Sequence, residues 1–349
     1  MAIPQRVSLA ERLPLSVPFS LHVFPSYHCN FKCAYCVHSL SSAELNDMQF
    51  RKQTMPLEVF KKTVDDLREF ATPLKAMIFA GHGEPLTHSA IAEMVAYAKM
   101  VAYAKRNSPA ERIEIVTNGT LLNQTLSDAL INAGLDRLRV SLQGVNADDY
   151  ERICGVRIDF ERFVENLSYF HHNKKNTNVF IKIIDIALSS PIEESPIKET
   201  VFHALFDSIC DTSAIEHLIP FIEKIDHSAL GGDLTQTKHG DGVVRRVDIC
   251  AMPFYMLVLL PNGDVTGCCS IQPPTIFGNV MKNSLLEIWR GDKRQAFLVE
   301  QLQSRNLNAV CKKCSVPDYG MQVGDYLDDD RDRLRELFMI NIVKGLKLK

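Results

Sequence analysis

Three cysteines lie close together near the amino terminus of this chain, and they constrain the fold more than any other feature. Cys29 and Cys33 have three residues between them, and Cys33 and Cys36 have two. A disulfide needs an oxidising compartment, and no apolar signal sequence indicates one. A structural zinc site needs four protein ligands, and the fourth is not nearby. A [4Fe–4S] cluster held by three thiolates leaves one iron open to a further ligand, so it fits the count of three best.

The composition is that of an ordinary globular protein. The 349 residues predict about two domains, and 46% are hydrophobic and 23% charged. The net charge of -3 gives no electrostatic footprint for nucleic acid, and no apolar run reaches the roughly 18 residues of a membrane span. We therefore expect a cytoplasmic protein with neither nucleic acid nor a membrane as a partner. In such a compartment the ten cysteines indicate metal or redox use.

Strand and helix patterns alternate between about residues 19 and 219. The predicted strands are 19–24, 75–80, 113–116, 138–142, 179–184 and 215–219. Alternation of this kind predicts parallel strands joined by helical crossovers. The fold class is therefore α/β, with six units forming a partial barrel. In such folds we expect the functional site at the carboxyl ends of the strands.

Four more cysteines form a second group in the last third of the chain. They are Cys250, Cys268, Cys311 and Cys314. The alternating residues on either side of Asn262-Gly263 predict a β-hairpin with a tight turn between the first two of them. Four thiolates satisfy a structural zinc or a [4Fe–4S] cluster, so both remain open. Cys269 adjoins Cys268 and competes for the same role.

Both groups resemble known signatures. The first group, with Tyr35 directly before its last cysteine, resembles the signature of the radical S-adenosylmethionine (SAM) superfamily. In the second group, twelve residues separate Cys250 from Gly263 and four separate Gly263 from Cys268. That spacing resembles the SPASM extension of the same superfamily. No cysteine follows Cys314, as in the shortened "twitch" form with one auxiliary cluster.

The resemblance implies an architecture and its cofactors. It implies a partial (β/α)6 TIM-like barrel in residues 1–225, an auxiliary iron–sulfur domain of a β-hairpin plus short helices in 226–327, and a helical tail in 328–349. The implied cofactors are SAM, a [4Fe–4S] cluster on the first three cysteines and one auxiliary [4Fe–4S] cluster. Members of the superfamily cleave SAM with one electron and use the 5′-deoxyadenosyl radical to remove a hydrogen atom from substrate. A flavodoxin- or ferredoxin-type protein would supply that electron.

The resemblance also implies which residues bind SAM. Residues 81–85, Gly-His-Gly-Glu-Pro, resemble the "GGEP" segment of the family. The resemblance implies that Gly83 lets the backbone approach the cofactor. It also implies that Glu84 accepts a hydrogen bond from the SAM ammonium group. The other implied cofactor-binding residues are Tyr35, Asn118, Ser141 and Gln143. His82 departs from a simple Gly-Gly pair, and Gln143 stands where members with auxiliary clusters often carry Asp. The alternative for each strand-end residue is a polar cap on the following turn.

The substrate is indicated only through relatives. Members with one auxiliary cluster include dehydrogenases that oxidise an alcohol carbon of an aminocyclitol or sugar. Only 28 residues precede Cys29, which leaves no room for a peptide-recognition domain, so we expect a small carbohydrate-like substrate. Three alternatives stay open: a maturase that crosslinks or epimerises a ribosomal peptide, a redox-neutral sugar epimerase or dehydratase, and a non-catalytic protein with two zinc sites.

Oxidation of an alcohol needs a general base within hydrogen-bond reach of the hydroxyl. Lys182 stands alone in an apolar strand, where a buried lysine is costly unless it is paired. It is a candidate for contact with substrate or with the SAM carboxylate, and a surface lysine with a buried stem is the alternative. The segment before Cys250 supplies the other catalytic candidates, which are Asp233, His239, Asp241, Arg245 and Arg246.

Overall fold

The strands form one sheet in the computed structural model, which describes residues 7–104, 109–189, 195–240 and 242–343. The nine strands stand in the order β6-β5-β4-β3-β2-β1-β7-β8-β9. Strands β1 to β6 pair in parallel along this order, which confirms the predicted α/β class. The strands are β1 Ser20–Val23, β2 Ala76–Phe79, β3 Ile113–Thr117, β4 Arg137–Leu142, β5 Asn178–Ile184, β6 Thr212–Glu216, β7 Met256–Leu259, β8 Asp264–Thr266 and β9 Gly278–Asn279.

Helices connect the parallel strands and cover the outside of the sheet. The first nine are α1 Leu9–Arg12, α2 Ser42–Asp47, α3 Leu57–Asp66, α4 Ile91–Ala104, α5 Gln124–Asn132, α6 Ala147–Cys154, α7 Phe160–Asn173, α8 Asp185–Leu188 and α9 Ser195–Phe206. The carboxyl-terminal part adds α10 Met252–Tyr255, α11 Leu285–Arg290, α12 Asp292–Gln303, α13 Val316–Gly320 and α14 Arg331–Val343. No helix in the described ranges is long and apolar enough to span a membrane.

The two faces of the parallel sheet have opposite character. Side chains alternate across a strand, and in β5 the buried residues Val179, Ile181 and Ile183 alternate with less buried ones. The buried set packs against the helices in the main core. The opposite face carries Lys182 and, in register across the pairs, Ser141 on β4. The sequence pattern therefore builds a polar interior that faces away from the helix layer.

The predicted hairpin is present, but it belongs to the same sheet as the barrel strands. β7 and β8 are antiparallel around the turn at Gly263, whose φ is 86°. β7 also pairs in parallel with β1 over four residues, from Ser20 opposite Met256 to Val23 opposite Leu259. Backbone hydrogen bonds thus join the strand before the first cysteine group to the strand between Cys250 and Cys268. The sixth strand lies at Thr212–Glu216, earlier than the predicted 215–219.

The carboxyl-terminal helices are fixed to the sheet around one tryptophan. Trp289 is fully buried, and its Nε1 donates to the Ser16 carbonyl at 3.2 Å. The guanidinium of Arg294 lies 3.3 Å from the centroid of its ring and donates to the carbonyls of Trp289 and Pro253. A buried arginine of this kind is stabilised by cation–π contact and by paired donors. Residues far apart in sequence are thereby held against the start of β1.

We expect Leu257→Ala to destabilise the parallel strands β1–β6 and the carboxyl-terminal hairpin β7–β8 together. Leu257 is fully buried in β7 within the main core, and removing a buried leucine side chain costs about 2–5 kcal/mol. The thermal midpoint of the cluster-loaded protein, measured under anaerobic conditions, should fall as one transition. The matched control is Leu307→Ala, since Leu307 is 61% exposed. An unchanged midpoint in the first variant would contradict the joint sheet.

Candidate active site

The first cysteine group lies in the loop after β1, at the carboxyl edge of the sheet. Two backbone hydrogen bonds fix this loop to the end of α6: Lys32 N donates to Cys154 O at 3.0 Å, and Ala34 N donates to Ile153 O at 2.8 Å. The amide of Phe31 donates to Cys29 Sγ at 3.4 Å. Burial raises the pKa of Cys29 to about 12 and that of Cys36 to about 11. Such thiols release their protons when a metal binds.

Gly83 is required by its contact with the cysteine loop. A Cβ at this position would lie 2.3 Å from the Ser26 carbonyl oxygen and 2.6 Å from that of His28. These are backbone atoms, which no rotamer change can move away. Glu84 N also donates to His28 O at 2.8 Å. The glycine therefore holds the segment after β2 against the residues just before Cys29, and its predicted contact with SAM stays a prediction.

Glu84 is buried and almost fully satisfied. Its Oε1 accepts from Leu86 N at 2.9 Å and from Thr117 Oγ1 at 2.6 Å, and its Oε2 accepts from Asn118 N at 2.7 Å. A carboxylate offers about four acceptor positions, so one remains on Oε2. Burial raises the pKa of Glu84. A cation at the remaining position would compensate that cost, and this is what the predicted contact with the SAM ammonium group requires.

Asn118 connects the end of β3 to the cysteine loop. Its Nδ2 donates to Asn30 Oδ1 at 2.9 Å, and Asn30 Nδ2 donates to Thr120 Oγ1 at 2.9 Å. Sequence reasoning selected Asn118 but missed Asn30, Thr117 and Thr120. Asn30 stands between two of the cysteines, and that position was the available signal.

Tyr35, Ser141 and Gln143 are brought together in space. The Tyr35 hydroxyl donates to Gln143 Oε1, and Gln143 Nε2 donates to the Ser141 carbonyl at 3.2 Å. The amide of Gln143 thus uses both its oxygen and its nitrogen to position the ring of Tyr35. An aspartate at position 143 could accept from Tyr35 but could not donate to Ser141.

These three residues line a cavity of about 280 Å³ at the carboxyl ends of β4, β5 and β6. Lys182 forms an ion pair there with Glu216, and Lys238 Nζ lies 3.5 Å from Glu216 Oε2. Burial, followed by the charge of Lys238, lowers the pKa of Lys182 to about 8. Burial alone would raise the pKa of Glu216, but Lys182 and Lys238 bring it below its usual range.

The other catalytic candidates divide into two groups. His239 is close to the cavity, with Nδ1 3.9 Å from Glu216 Oε1. Asp233 is exposed and accepts from Thr235 in a turn, and the Arg245 guanidinium lies over the Tyr326 ring, 3.8 Å from its centroid. Arg246 donates to Asn306. None of these last three lines the cavity, and Asp241 lies outside the described residues.

The second cysteine group lines a smaller cavity of about 90 Å³ that contains all four predicted ligands. Cys268 and Cys269 both border it, but Cys269 Sγ also lies 3.8 Å from His22 Nδ1 on β1. The charges of Cys250 and Cys311 act on Cys268, while Lys238 acts on Cys269. The choice of Cys268 over Cys269 as the ligand stays a prediction.

A buried arginine organises the second group. Arg305 is fully buried and donates to the carbonyls of Cys311, Cys314 and Val247. Its Nη2 donates to both carboxylate oxygens of Asp318, at 2.7 and 2.9 Å. Together these contacts employ the full set of guanidinium donors. They hold the Cys311–Cys314 turn beside the segment around Val247 that leads to Cys250.

The donor sets suit iron–sulfur clusters. All ten cysteines are free thiols, and thiolates are the usual ligands of such clusters. Within the described residues, no group of three or more His, Cys, Asp or Glu side chains is close enough to hold one metal ion. A four-iron cluster distributes its thiolates over separate irons, which requires wider spacing than a single zinc does.

Comparison with known proteins agrees with this donor chemistry. The profile of the radical SAM superfamily matches residues 23–186, and that of the SPASM iron–sulfur cluster-binding domain matches residues 250–315. The chain belongs to the radical SAM superfamily. SAM and a [4Fe–4S] cluster are therefore its cofactors. Its SPASM domain implies auxiliary iron–sulfur clusters.

Several members of the superfamily are similar over part or most of the chain. AdoMet-dependent heme synthase of Methanosarcina barkeri is 22% identical across 86% of this chain and 92% of its own length. Fe-coproporphyrin III synthase of the same organism is 28% identical over 51% of this chain, and the match spans only 41% of that protein. dTDP-4-amino-4,6-dideoxy-D-glucose ammonia-lyase of Streptomyces venezuelae is 29% identical over 44% of this chain and 29% of its own length.

Two solved structures share the fold of this radical SAM enzyme. BtrN in complex with AdoMet and 2-DOIA has a TM-score of 0.52 and 17% identity, with 85% of this chain and 93% of BtrN covered. The anSMEcpe structure with bound AdoMet has a TM-score of 0.58 and 15% identity, with 95% of each chain covered. At these identities the likeness establishes the partial-barrel fold alone.

We expect Glu84→Gln to weaken SAM binding. The amide nitrogen of the variant would face groups that are themselves hydrogen-bond donors. The substitution would also remove the negative charge that attracts an ammonium group. A hydrogen bond to a charged group is worth about 1.5–3 kcal/mol. The dissociation constant of SAM, measured by equilibrium binding to the cluster-loaded protein, should rise roughly tenfold or more. Glu58→Gln, at an exposed position in α3, is the control. Equal affinity in both variants would exclude Glu84 from the SAM site.

We expect Arg305→Met to remove the auxiliary cluster selectively. Breaking a buried ion pair costs about 3–5 kcal/mol, and here it also releases the Cys311 and Cys314 carbonyls. Iron content should fall toward that of one cluster, while SAM cleavage in the presence of a chemical reductant continues. Arg335→Met, on the exposed side of α14, should keep full iron content. Full iron content in Arg305→Met would contradict the organising role.

Proposed function

We propose that this chain is a radical SAM dehydrogenase that oxidises an alcohol carbon of a small, carbohydrate-like molecule to a ketone. The observation that carries the proposal is Lys182, a largely buried lysine with a pKa near 8 in a cavity that it shares with Tyr35 and Gln143. A base whose pKa lies near the working pH is suited to remove a hydroxyl proton. Removal of that proton is the step that a redox-neutral hydrogen transfer does not need.

When bound, SAM and a cluster on Cys29, Cys33 and Cys36 would supply the radical chemistry that removes the carbon-bound hydrogen atom, and a cluster on the second cysteine group would supply an acceptor for the remaining electron. The chain's own residues perform the polar steps. Lys182 in its neutral form takes the hydroxyl proton, and Glu216 then stabilises the resulting ammonium. Tyr35 and Gln143 form the wall toward the cysteine loop. A flavodoxin- or ferredoxin-type donor provides the electron that starts the cycle.

Phe221 is the structural reason for assigning the electron to the auxiliary site. Its side chain lines both the cavity with Lys182 and the cavity with the second cysteine group. The two cavities therefore share Phe221 as a common lining residue. A substrate in the first cavity would share this residue with the second cysteine group, which supports an oxidative outcome over a redox-neutral one.

A tetrapyrrole substrate is the second candidate, because AdoMet-dependent heme synthase is similar over most of its length. Ligand cavities usually measure about 300–1,000 Å³. The cavity that contains Lys182 is close to the lower limit, at about 280 Å³. Its size favours a sugar or aminocyclitol over a tetrapyrrole, and it equally disfavours a long peptide.

The direct test is an anaerobic assay of the cluster-loaded enzyme with aminocyclitols, sugars and nucleotide sugars. We expect one 5′-deoxyadenosine for each ketone formed, and we expect deuterium from the oxidised carbon to appear in 5′-deoxyadenosine. Assays with Fe-coproporphyrin III and with peptides from neighbouring genes run in parallel. Turnover of either of those, or reuse of SAM without net oxidation, would contradict the dehydrogenase.

The pH dependence of the rate tests Lys182. Below pH 8 the group is protonated and cannot accept a proton; above pH 8 it is neutral, so kcat/KM should rise about tenfold per pH unit and level off above 8. Lys182→Met should lower the rate at least a hundredfold and remove the rise of kcat/KM with pH. The control is Lys175→Met, because Lys175 is exposed in the loop between α7 and β5. A rising limb that persists in Lys182→Met would assign the base to another group.

A further inference from the structure

Gln301 is a buried polar side chain for which sequence reasoning found no role. It lies on α12 and is fully buried. Its Nε2 lies 3.6 Å from the sulfur of Cys311, a predicted ligand of the auxiliary cluster. Its Oε1 has no hydrogen-bond partner among the described residues. An unpaired buried carbonyl is destabilising, so the side chain is held in place at some expense to stability.

The orientation of the amide follows from charge. Oxygen and nitrogen of a glutamine are distinguished by their hydrogen-bond network. A metal-bound thiolate is an acceptor, and it would repel the amide oxygen. The nitrogen therefore faces the sulfur, and the contact is an N–H···S hydrogen bond within the range usual for sulfur acceptors.

The local backbone explains why Cys311 needs a side-chain donor. The thiolates of Cys250, Cys268 and Cys314 are each favoured by the amide two residues later, from Met252, Ser270 and Val316. Cys311 begins a 3-10 turn, Cys311–Lys313, in which the amide two residues later donates instead to the Val310 carbonyl at 3.2 Å. Gln301 supplies the donor that this turn withholds.

We propose that Gln301 raises the reduction potential of the auxiliary cluster through its hydrogen bond to Cys311. The reduced cluster carries more negative charge on its sulfurs, so a donor stabilises that form more than the oxidised one. Arg305, which is buried beside the same turn, acts in the same direction by its charge. Gln301 is a positioning and tuning residue and touches no substrate. The inference rests on the proposed function only where it makes this potential useful for accepting an electron.

The test is a redox titration of the auxiliary cluster followed by EPR, without substrate. It uses the full chain with Cys29, Cys33 and Cys36 replaced by Ala, so that only the auxiliary cluster contributes. Gln301→Met and Gln301→Glu, which both lack the N–H donor, should shift the midpoint potential to more negative values. Gln303→Met, at an exposed position on the same helix, should leave it unchanged. An unchanged potential in both Gln301 variants, with iron content retained, would overturn the inference.

A second measurement applies if the Gln301 variants lose the cluster. The same protein with an unaltered Gln301 is labelled with ¹⁵N at its glutamine side chains, and the reduced cluster is measured by pulsed EPR. A ¹⁵N coupling supports the hydrogen bond, and its absence overturns it. Both measurements are independent of turnover. A shifted potential in an enzyme that forms no ketone would therefore refute the proposed function and leave the role of Gln301 intact.

Discussion

The carboxylate of Glu84 is the interaction on which the first site depends. It follows β2, accepts from Thr117 and Asn118 at the end of β3, and has its own amide bound to the His28 carbonyl before the first cysteine. Two strand ends and the cysteine loop are thus tied to one buried charge. Because the charge is expensive to bury, the surrounding donors must stay in place, and they leave a single position for a cation.

The alternation of side chains along β5 has a similar effect on the substrate cavity. It places Val179, Ile181 and Ile183 against the helices, so that Lys182 must face the interior. Burial then makes its proton easier to lose, and Glu216 on the neighbouring strand stabilises the charged form. The pairing of β7 with β1 places the hairpin of the second cysteine group in the same sheet, and Phe221 lines both cavities.

Local sequence patterns predicted what depends on local chemistry. Strands and crossovers follow from periodicity, the hairpin follows from Asn262-Gly263, and both cysteine groups follow from spacing. Gly83 packs against backbone atoms of Ser26 and His28, and the sequence spacing gives no sign of this tertiary contact. Asp233, Arg245 and Arg246 belong to a segment without helix or strand periodicity. The sequence therefore does not indicate whether their side chains face the cavity. Gln301 and Arg305 escaped notice because their partners come together only when α12 packs beside the Cys311 turn.

We expect the two cysteine groups to hold two iron–sulfur clusters with separate tasks. Mössbauer spectroscopy with iron and labile-sulfide analysis, on anaerobically purified protein, tests it most directly. We expect eight irons per chain, four of which are lost together with SAM cleavage when Cys29, Cys33 and Cys36 become Ala. Replacing Cys250, Cys268, Cys311 and Cys314 should remove the other four irons and spare SAM cleavage. Zinc without labile sulfide, or SAM cleavage that survives the first replacement, would contradict it.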